Sequence, residues 1–128
     1  MNKLIIDVVG EKIFFMIITS SNIYNINYEN TKINYEKLTK LINDFLNSYN
    51  LTISDISTIY VNKGPGSFAG IRNSLSTVKA FNVAKKIDYY CYSLDDFEGE
   101  IDVRYENIPD LCKKYNIKKN LINPLYIS

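Results

Sequence analysis

Glycine, proline and serine are concentrated in one short stretch, Gly64-Pro65-Gly66-Ser67, which follows an apolar run and opens a helical pattern. Such a turn can hold an anion, because unpaired backbone N–H groups and the positive end of the helix dipole lie together at the start of a helix. It also suits a structural role, in which the glycines permit unusual backbone angles, Pro65 stiffens the turn and Ser67 caps the helix. No Gly-Lys-Ser/Thr follows at P-loop spacing, so the sequence favours the structural role.

The carboxylate of Asp7, at the end of the first apolar run, is a second candidate for chemistry. Nucleases that use two metal ions hold them with several acidic groups. Here the fourth apolar run ends in Asn62-Lys63, and Glu11 and Glu36 are ordinary surface residues. A nucleotide-binding or metal-dependent hydrolase site between Asp7 and the glycine turn is therefore kept only as the alternative function.

Other catalytic and metal-binding arrangements lack the residues that they need. The chain has no histidine, and its two cysteines, Cys91 and Cys112, are too few for a zinc site. Ser67 has no base at a recognisable spacing, so it is not expected to be a nucleophile. The sequence predicts no catalytic residue, no metal ligand and no cofactor.

Charged residues form two local clusters in a chain whose net charge is only +1. One cluster is acidic and is predicted to be a solvated connection: Asp95, Asp96, Glu98, Glu100 and Asp102. The other is basic: Lys113, Lys114, Lys118 and Lys119. Lysines can contact RNA phosphates, but no aromatic and glycine-rich RNA module accompanies them, so a solvated helix face is the simpler interpretation.

The chain of 128 residues predicts one compact domain. Its longest apolar run, residues 13–18, is far short of the roughly 20 residues that span a bilayer. No secretory signal opens the sequence, and two cysteines suggest no disulfide framework, which favours a reducing cytosol. We expect a cytoplasmic protein without a membrane segment.

Hydrophobic periodicity predicts the element order βββαβαβ, followed by a short helix. The strands are expected at 4–9, 12–19, 22–29, 56–62 and 88–93, and the helices at 35–49, 67–86 and 109–116. On a helical wheel, Phe68, Ile71, Leu75 and Val78 of the second helix face the sheet. A second side of that helix is a stripe of mostly small residues: Gly70, Asn73, Thr77, Ala80, Phe81 and Ala84.

Small residues on a helix allow another helix to approach closely. The chain's own first helix can fill that role, or a helix of another molecule can. Because the protein is small, we favour an intermolecular contact.

The run GPGSFAGIRNSLSTVKAF, which opens at Gly64, resembles the TsaB (YeaZ) family, whose members carry a very similar Gly-Pro-Gly-Ser-Phe-Thr-Gly-Leu-Arg run. The likeness extends over roughly residues 3–97, and the last residues, NPLYIS, resemble the family's Pro-x-Tyr-Leu-Arg ending. The motif loop is thus Gly64, Pro65, Gly66, Ser67 and Phe68. The chain departs from the family pattern after the first strand, where it has Asp7-Val8-Val9 and family members commonly have Asp-Thr-Ser.

The resemblance implies an α/β fold of the ribonuclease H-like, sugar-kinase and actin type, with residues 1–97 as the first domain and 98–128 as a remnant of the second. It also implies a non-catalytic subunit that pairs through its helices with the catalytic paralogue TsaD, in the cytosolic complex that adds threonylcarbamoyl to the anticodon-adjacent adenosine of tRNA. TsaE is a further candidate partner, a homodimer is an alternative, and tRNA is expected to be contacted mainly indirectly.

For partner binding, the sequence predicts the stripe named above together with Arg72. This arginine is expected either to bond across the contact or to anchor the motif loop.

Overall fold

The computed structural model describes residues 1–124 and 126–127. Five strands form one mixed sheet in the order β3-β2-β1-β4-β6. They are β1 (Asn2–Asp7), β2 (Lys12–Ile18), β3 (Ile23–Glu29), β4 (Ile56–Asn62) and β6 (Asp88–Tyr92). The first three are antiparallel neighbours, whereas β4 and β6 run parallel to β1. A parallel pair of two-residue strands, β5 (Gly66–Ser67) and β7 (Tyr126–Ile127), joins the motif loop to the C-terminal residues.

Four helices pack around the sheet: α1 (Lys32–Tyr35), α2 (Leu38–Asn47), α3 (Phe68–Lys85) and α4 (Ile108–Lys114). The predicted order βββαβαβ is therefore confirmed, with small additions. The single helix expected at 35–49 is wrong in its bounds, because Lys37 (φ −124°, ψ 35°) separates α1 from α2. The predicted NPLYIS ending includes Leu125 and Ser128, which lie outside the described residues.

The larger core lies between one face of the sheet and the helices α2 and α3. Alternate residues of the strands point into it, as the period of two requires. Each helix adds one apolar side. The buried members include Leu4, Ile6, Phe15, Ile59 and Tyr89 from the strands, Ile42, Phe45 and Leu46 from α2, and Ile71, Leu75 and Val78 from α3.

A second core covers the opposite face of the sheet, where Ile5, Met16, Tyr60 and Tyr92 point. The segment after β6 provides its other wall, through Phe97, Ile108, Leu111 and Cys112. Residues 98–117 therefore pack on the same sheet as the rest of the chain, and their origin as a remnant of a second domain stays a prediction.

The two cysteines, Cys91 and Cys112, are both buried and free. Burial raises the pKa of each thiol to about 12. Each side chain thus behaves as a small apolar group, as the sequence predicts. In the described part of the chain, no helix has both the length and the apolar character needed to cross a bilayer.

Candidate functional site

The motif loop begins where β4 ends, and its shape depends on its two glycines in different ways. Gly64 has φ 115°, a backbone angle that favours glycine, and its N–H donates to Oδ1 of Asn62 at 3.0 Å. Gly66 needs space instead of an unusual angle, because a Cβ atom there would lie 3.0 Å from Cγ1 of Val9 and 3.1 Å from Cδ1 of Ile71. The sequence argument from backbone angles was thus right for Gly64 alone.

We expect the substitution Gly66→Ala to lower the free energy of unfolding by about 1–3 kcal/mol, because the added methyl group overpacks the contact with Val9 and Ile71. Gly10→Ala is the matched control, since nothing lies within 4 Å of a Cβ at that position. Its stability should be unchanged or raised by up to about 1 kcal/mol. Denaturant unfolding of both variants measures the difference, and equal midpoints would contradict the packing argument.

Two residues of the motif loop differ from their predicted roles. Ser67 does stand at the N-cap of α3, but its hydroxyl makes no capping hydrogen bond. Phe68 was expected against the sheet and is 52% exposed, because the buried side of α3 begins at Gly70 and Ile71.

The guanidinium of Arg72 lies over the Phe68 ring, 5.8 Å from its centre. This contact fits the second of the two roles expected for Arg72, that of holding the motif loop.

Asp7 lies at the carboxyl end of β1, close to the motif loop, and its carboxylate is engaged by the chain itself. Oδ1 accepts the N–H of Val9 at 2.9 Å. Oδ2 accepts the side-chain amide of Asn62 at 3.2 Å and the hydroxyl of Tyr105 at 2.8 Å. Since Asn62 also holds the N–H of Gly64, one hydrogen-bond network joins Tyr105, Asp7 and the motif loop.

Tyr105 is the one member of this network that sequence reasoning missed. Its ring stacks on Phe14, with 4.0 Å between the ring centres. Burial and the neighbouring Asp7 carboxylate both raise the pKa of Tyr105, so its hydroxyl remains a proton donor.

An open cleft of about 540 Å³ beside Tyr105 is lined by Asp7, Glu11 and Lys12, among others. Within the described residues, no group of three or more His, Cys, Asp or Glu side chains is placed to hold a metal ion.

The stripe of small residues on α3 is divided between the protein's own core and its surface. Gly70 and Phe81 are buried, and a Cβ at Gly70 would lie 3.3 Å from the carbonyl oxygen of Val8. The other members are half-buried (Asn73 and Thr77) or exposed (Ala80 and Ala84). The chain therefore covers one edge of the stripe and leaves the other open. Its role in partner binding stays a prediction.

The open side of α3 carries positive charge only. The helix contains Arg72, Lys79 and Lys85 and no acidic residue. Arg72 and Lys79 form no ion pair with any of the described residues, and both line a shallow cleft of about 350 Å³ that Ile122 and Pro124 close. The exposed Val83 adds an apolar contact beside the alanines.

Two lysines of the basic cluster pair with carboxylates, one inside the acidic cluster and one outside it. Lys114 pairs with Glu100 at 2.7 Å, and Lys119 lies 3.6 Å from Asp88. The acidic connection is only partly solvated, because Phe97 within it is buried and Asp96 is half-buried. Of the four lysines, Lys113 and Lys118 have no carboxylate partner in the part of the chain that the structure describes.

Solved structures with the same fold include YeaZ from Pseudomonas aeruginosa, with a TM-score of 0.66 and 18% sequence identity. The match covers 72% of this chain and 43% of YeaZ, so the matched part spans less than half of that protein's length. RuvC from Thermus thermophilus, solved in complex with a Holliday junction substrate, matches with a TM-score of 0.51 and 10% identity over 77% of this chain and 68% of RuvC. These likenesses confirm the predicted ribonuclease H-like α/β fold.

No curated protein matches the chain significantly. A family profile does match, over residues 31–99, which include α2, β4, the motif loop, α3 and β6. Its description is TsaD, tRNA N6-adenosine threonylcarbamoyltransferase. The matched region contains the motif from which the TsaB (YeaZ) resemblance was predicted, and that resemblance is confirmed. Because the match covers more than half of the sequence, the chain belongs to the TsaD (tRNA N6-adenosine threonylcarbamoyltransferase) family.

Proposed function

We propose that this chain is a non-catalytic partner subunit in the cytosolic complex that adds threonylcarbamoyl to the anticodon-adjacent adenosine of tRNA. It pairs with the TsaD-like catalytic paralogue through the open side of α3. The observation that carries the proposal is that Ala80 and Ala84 are exposed on a helix whose opposite side is buried in the core. Small side chains at such a surface let a partner helix come close enough for backbone and side chains to pack.

The charges on α3 favour a different chain as the partner over a second copy. In a symmetric dimer the same surface meets itself, so the cations Arg72 and Lys79 of both copies would be brought onto one small contact. Juxtaposed like charges disfavour such a pairing. A partner helix that carries carboxylates opposite these two residues has the complementary charge. TsaE, the other candidate partner, stays a prediction.

The engagement of Asp7 supports a role without catalysis. Both oxygens of this carboxylate already accept hydrogen bonds, from Val9, Asn62 and Tyr105. Three of the roughly four acceptor positions of the carboxylate are thus taken by the chain itself, which leaves little of it for a nucleotide or metal ion. Calorimetry with ATP and ADP, with and without TsaD, separates the proposal from the nucleotide-binding alternative.

The direct test is purification of the tagged chain from its own cytosol and a search for the TsaD paralogue among the proteins that come with it. Sedimentation of the purified material then measures the size of the complex. We expect a stable complex that contains TsaD. A single copy in solution, with TsaD absent even when both proteins are produced together, would contradict the proposal.

A further inference from the structure

A cleft of about 480 Å³ lies on the second face of the sheet, beside α4. Its volume is within the range of small-molecule sites, about 300–1,000 Å³. It shares no lining residue with the cleft at Asp7, and Lys3 in its wall stands near the amino end of β1, whereas Asp7 ends that strand. Its polar lining comprises Lys3, Tyr60, Tyr90, Asp110, Lys113 and Asn116.

The charges in this cleft are mostly positive and unpaired. Lys3 and Lys113 form no ion pair with a carboxylate of the described residues, in contrast to the neighbouring Lys114, which is held by Glu100. Asp110 is the one acidic residue in the described lining. Two unpaired ammonium groups around one cavity suit an anion such as phosphate.

Tyr60 gives the second, independent indication of a ligand. Tyr60 is only 7% exposed, but it lines the cleft, and none of the described groups forms a hydrogen bond with its hydroxyl, so that hydroxyl is available to a ligand there. Burial raises the pKa of Tyr60 to about 12, so the hydroxyl is protonated and able to donate. Its ring stacks on that of Tyr90, with 5.3 Å between the ring centres and 10° between the ring planes. Nucleobases also stack on aromatic side chains of this kind.

We propose that this cleft binds a phosphate-bearing ligand of mononucleotide size, with Lys3 and Lys113 on the phosphate and the Tyr60 hydroxyl donating to a ligand oxygen. Asp110 and Asn116 are placed to accept from hydroxyl or amino groups of the same ligand. The nucleotide is either free or part of an RNA strand, because both present the same chemistry to the cleft. The proposal does not depend on partner binding through α3, which is a separate surface.

Calorimetric titration of the full chain tests this site with three probes: AMP, adenosine and a short single-stranded RNA. We expect AMP to bind at least 10-fold more tightly than adenosine, and increasing salt to weaken AMP binding. Tighter binding of the RNA than of AMP would support the site and identify RNA as the source of the nucleotide. The reverse order would support it with a free nucleotide as the ligand.

Variants then locate the binding. The double substitution Lys3→Gln and Lys113→Gln should weaken AMP binding at least 10-fold, and Tyr60→Phe should weaken it several-fold while the circular dichroism spectrum is unchanged. Lys85→Gln, at the end of α3, is the control and should bind AMP as the parent does. Adenosine binding as tightly as AMP, no binding of any probe at millimolar concentration, or full binding by the double variant would each overturn the proposal.

Discussion

Replacing Ala80 by glutamate should reduce binding of the TsaD paralogue by about 100-fold or more, while the isolated chain remains as stable as the parent. Ala80 is exposed, so a larger side chain meets no atom of its own protein, and surface changes of this kind usually alter stability by less than about 0.5 kcal/mol. In the complex, the same side chain would be buried at a close helix contact. A buried charge without a partner costs several kcal/mol.

The control for this experiment is Ile101→Glu, which places the same charge at an exposed position on the opposite side of the sheet. It should bind TsaD as the parent does. Co-purification of the Ala80→Glu variant with TsaD at parental yield would show that the open side of α3 is not the contact. Loss of binding in both variants would point to a general effect of added negative charge instead.

The sheet and its helices could be predicted because their hydrophobic periods are long and regular. In α2, the apolar residues at helical spacing are all buried: Leu38, Leu41, Ile42, Phe45 and Leu46. Tyr49, the last residue of the helix predicted at 35–49, lies beyond the end of α2 and instead stacks on Tyr24 of β3. Periodicity thus identifies the face of a helix but not the residue at which it ends, which depends on local capping.

The surroundings of Asp7 could not be predicted, because they depend on a contact between residues 98 positions apart. Tyr105 follows an acidic stretch that composition identifies as an exposed connection. No local pattern distinguishes a tyrosine that turns inward from one in solvent. A usable signal was the apolar residues within that stretch, Phe97 and Val103, since a fully solvated connection has no need of them.

The stripe on α3 shows a different limit of the sequence. A helical wheel found two sides that lack bulky charge, but it could not say how much of the second side the chain itself covers. Gly70 is covered because the residues after β1 approach it closely, which is a long-range contact. Ala80 and Ala84, toward the other end of the helix, have no such neighbour and remain exposed. The predicted surface is therefore smaller than the stripe.

Ile108→Ala should lower the free energy of unfolding by about 2–5 kcal/mol, a large part of the total for a domain of this size. Ile108 is 1% exposed and packs in the second core with Ile5 and Tyr92 of the sheet. Removing three methyl or methylene groups there loses apolar contact and leaves a cavity. Urea unfolding followed by circular dichroism measures the change.

The matched control is Ile101→Ala, since Ile101 belongs to the same segment but is exposed, and its midpoint should be unchanged. The comparison decides whether residues 98–117 fold together with the sheet or merely rest on it. A cooperative unit gives one transition, shifted by Ile108→Ala with an unchanged slope. Equal midpoints for the two variants would mean that the segment opens separately, and that the sheet tolerates exposure of the face on which Ile5 and Tyr92 lie.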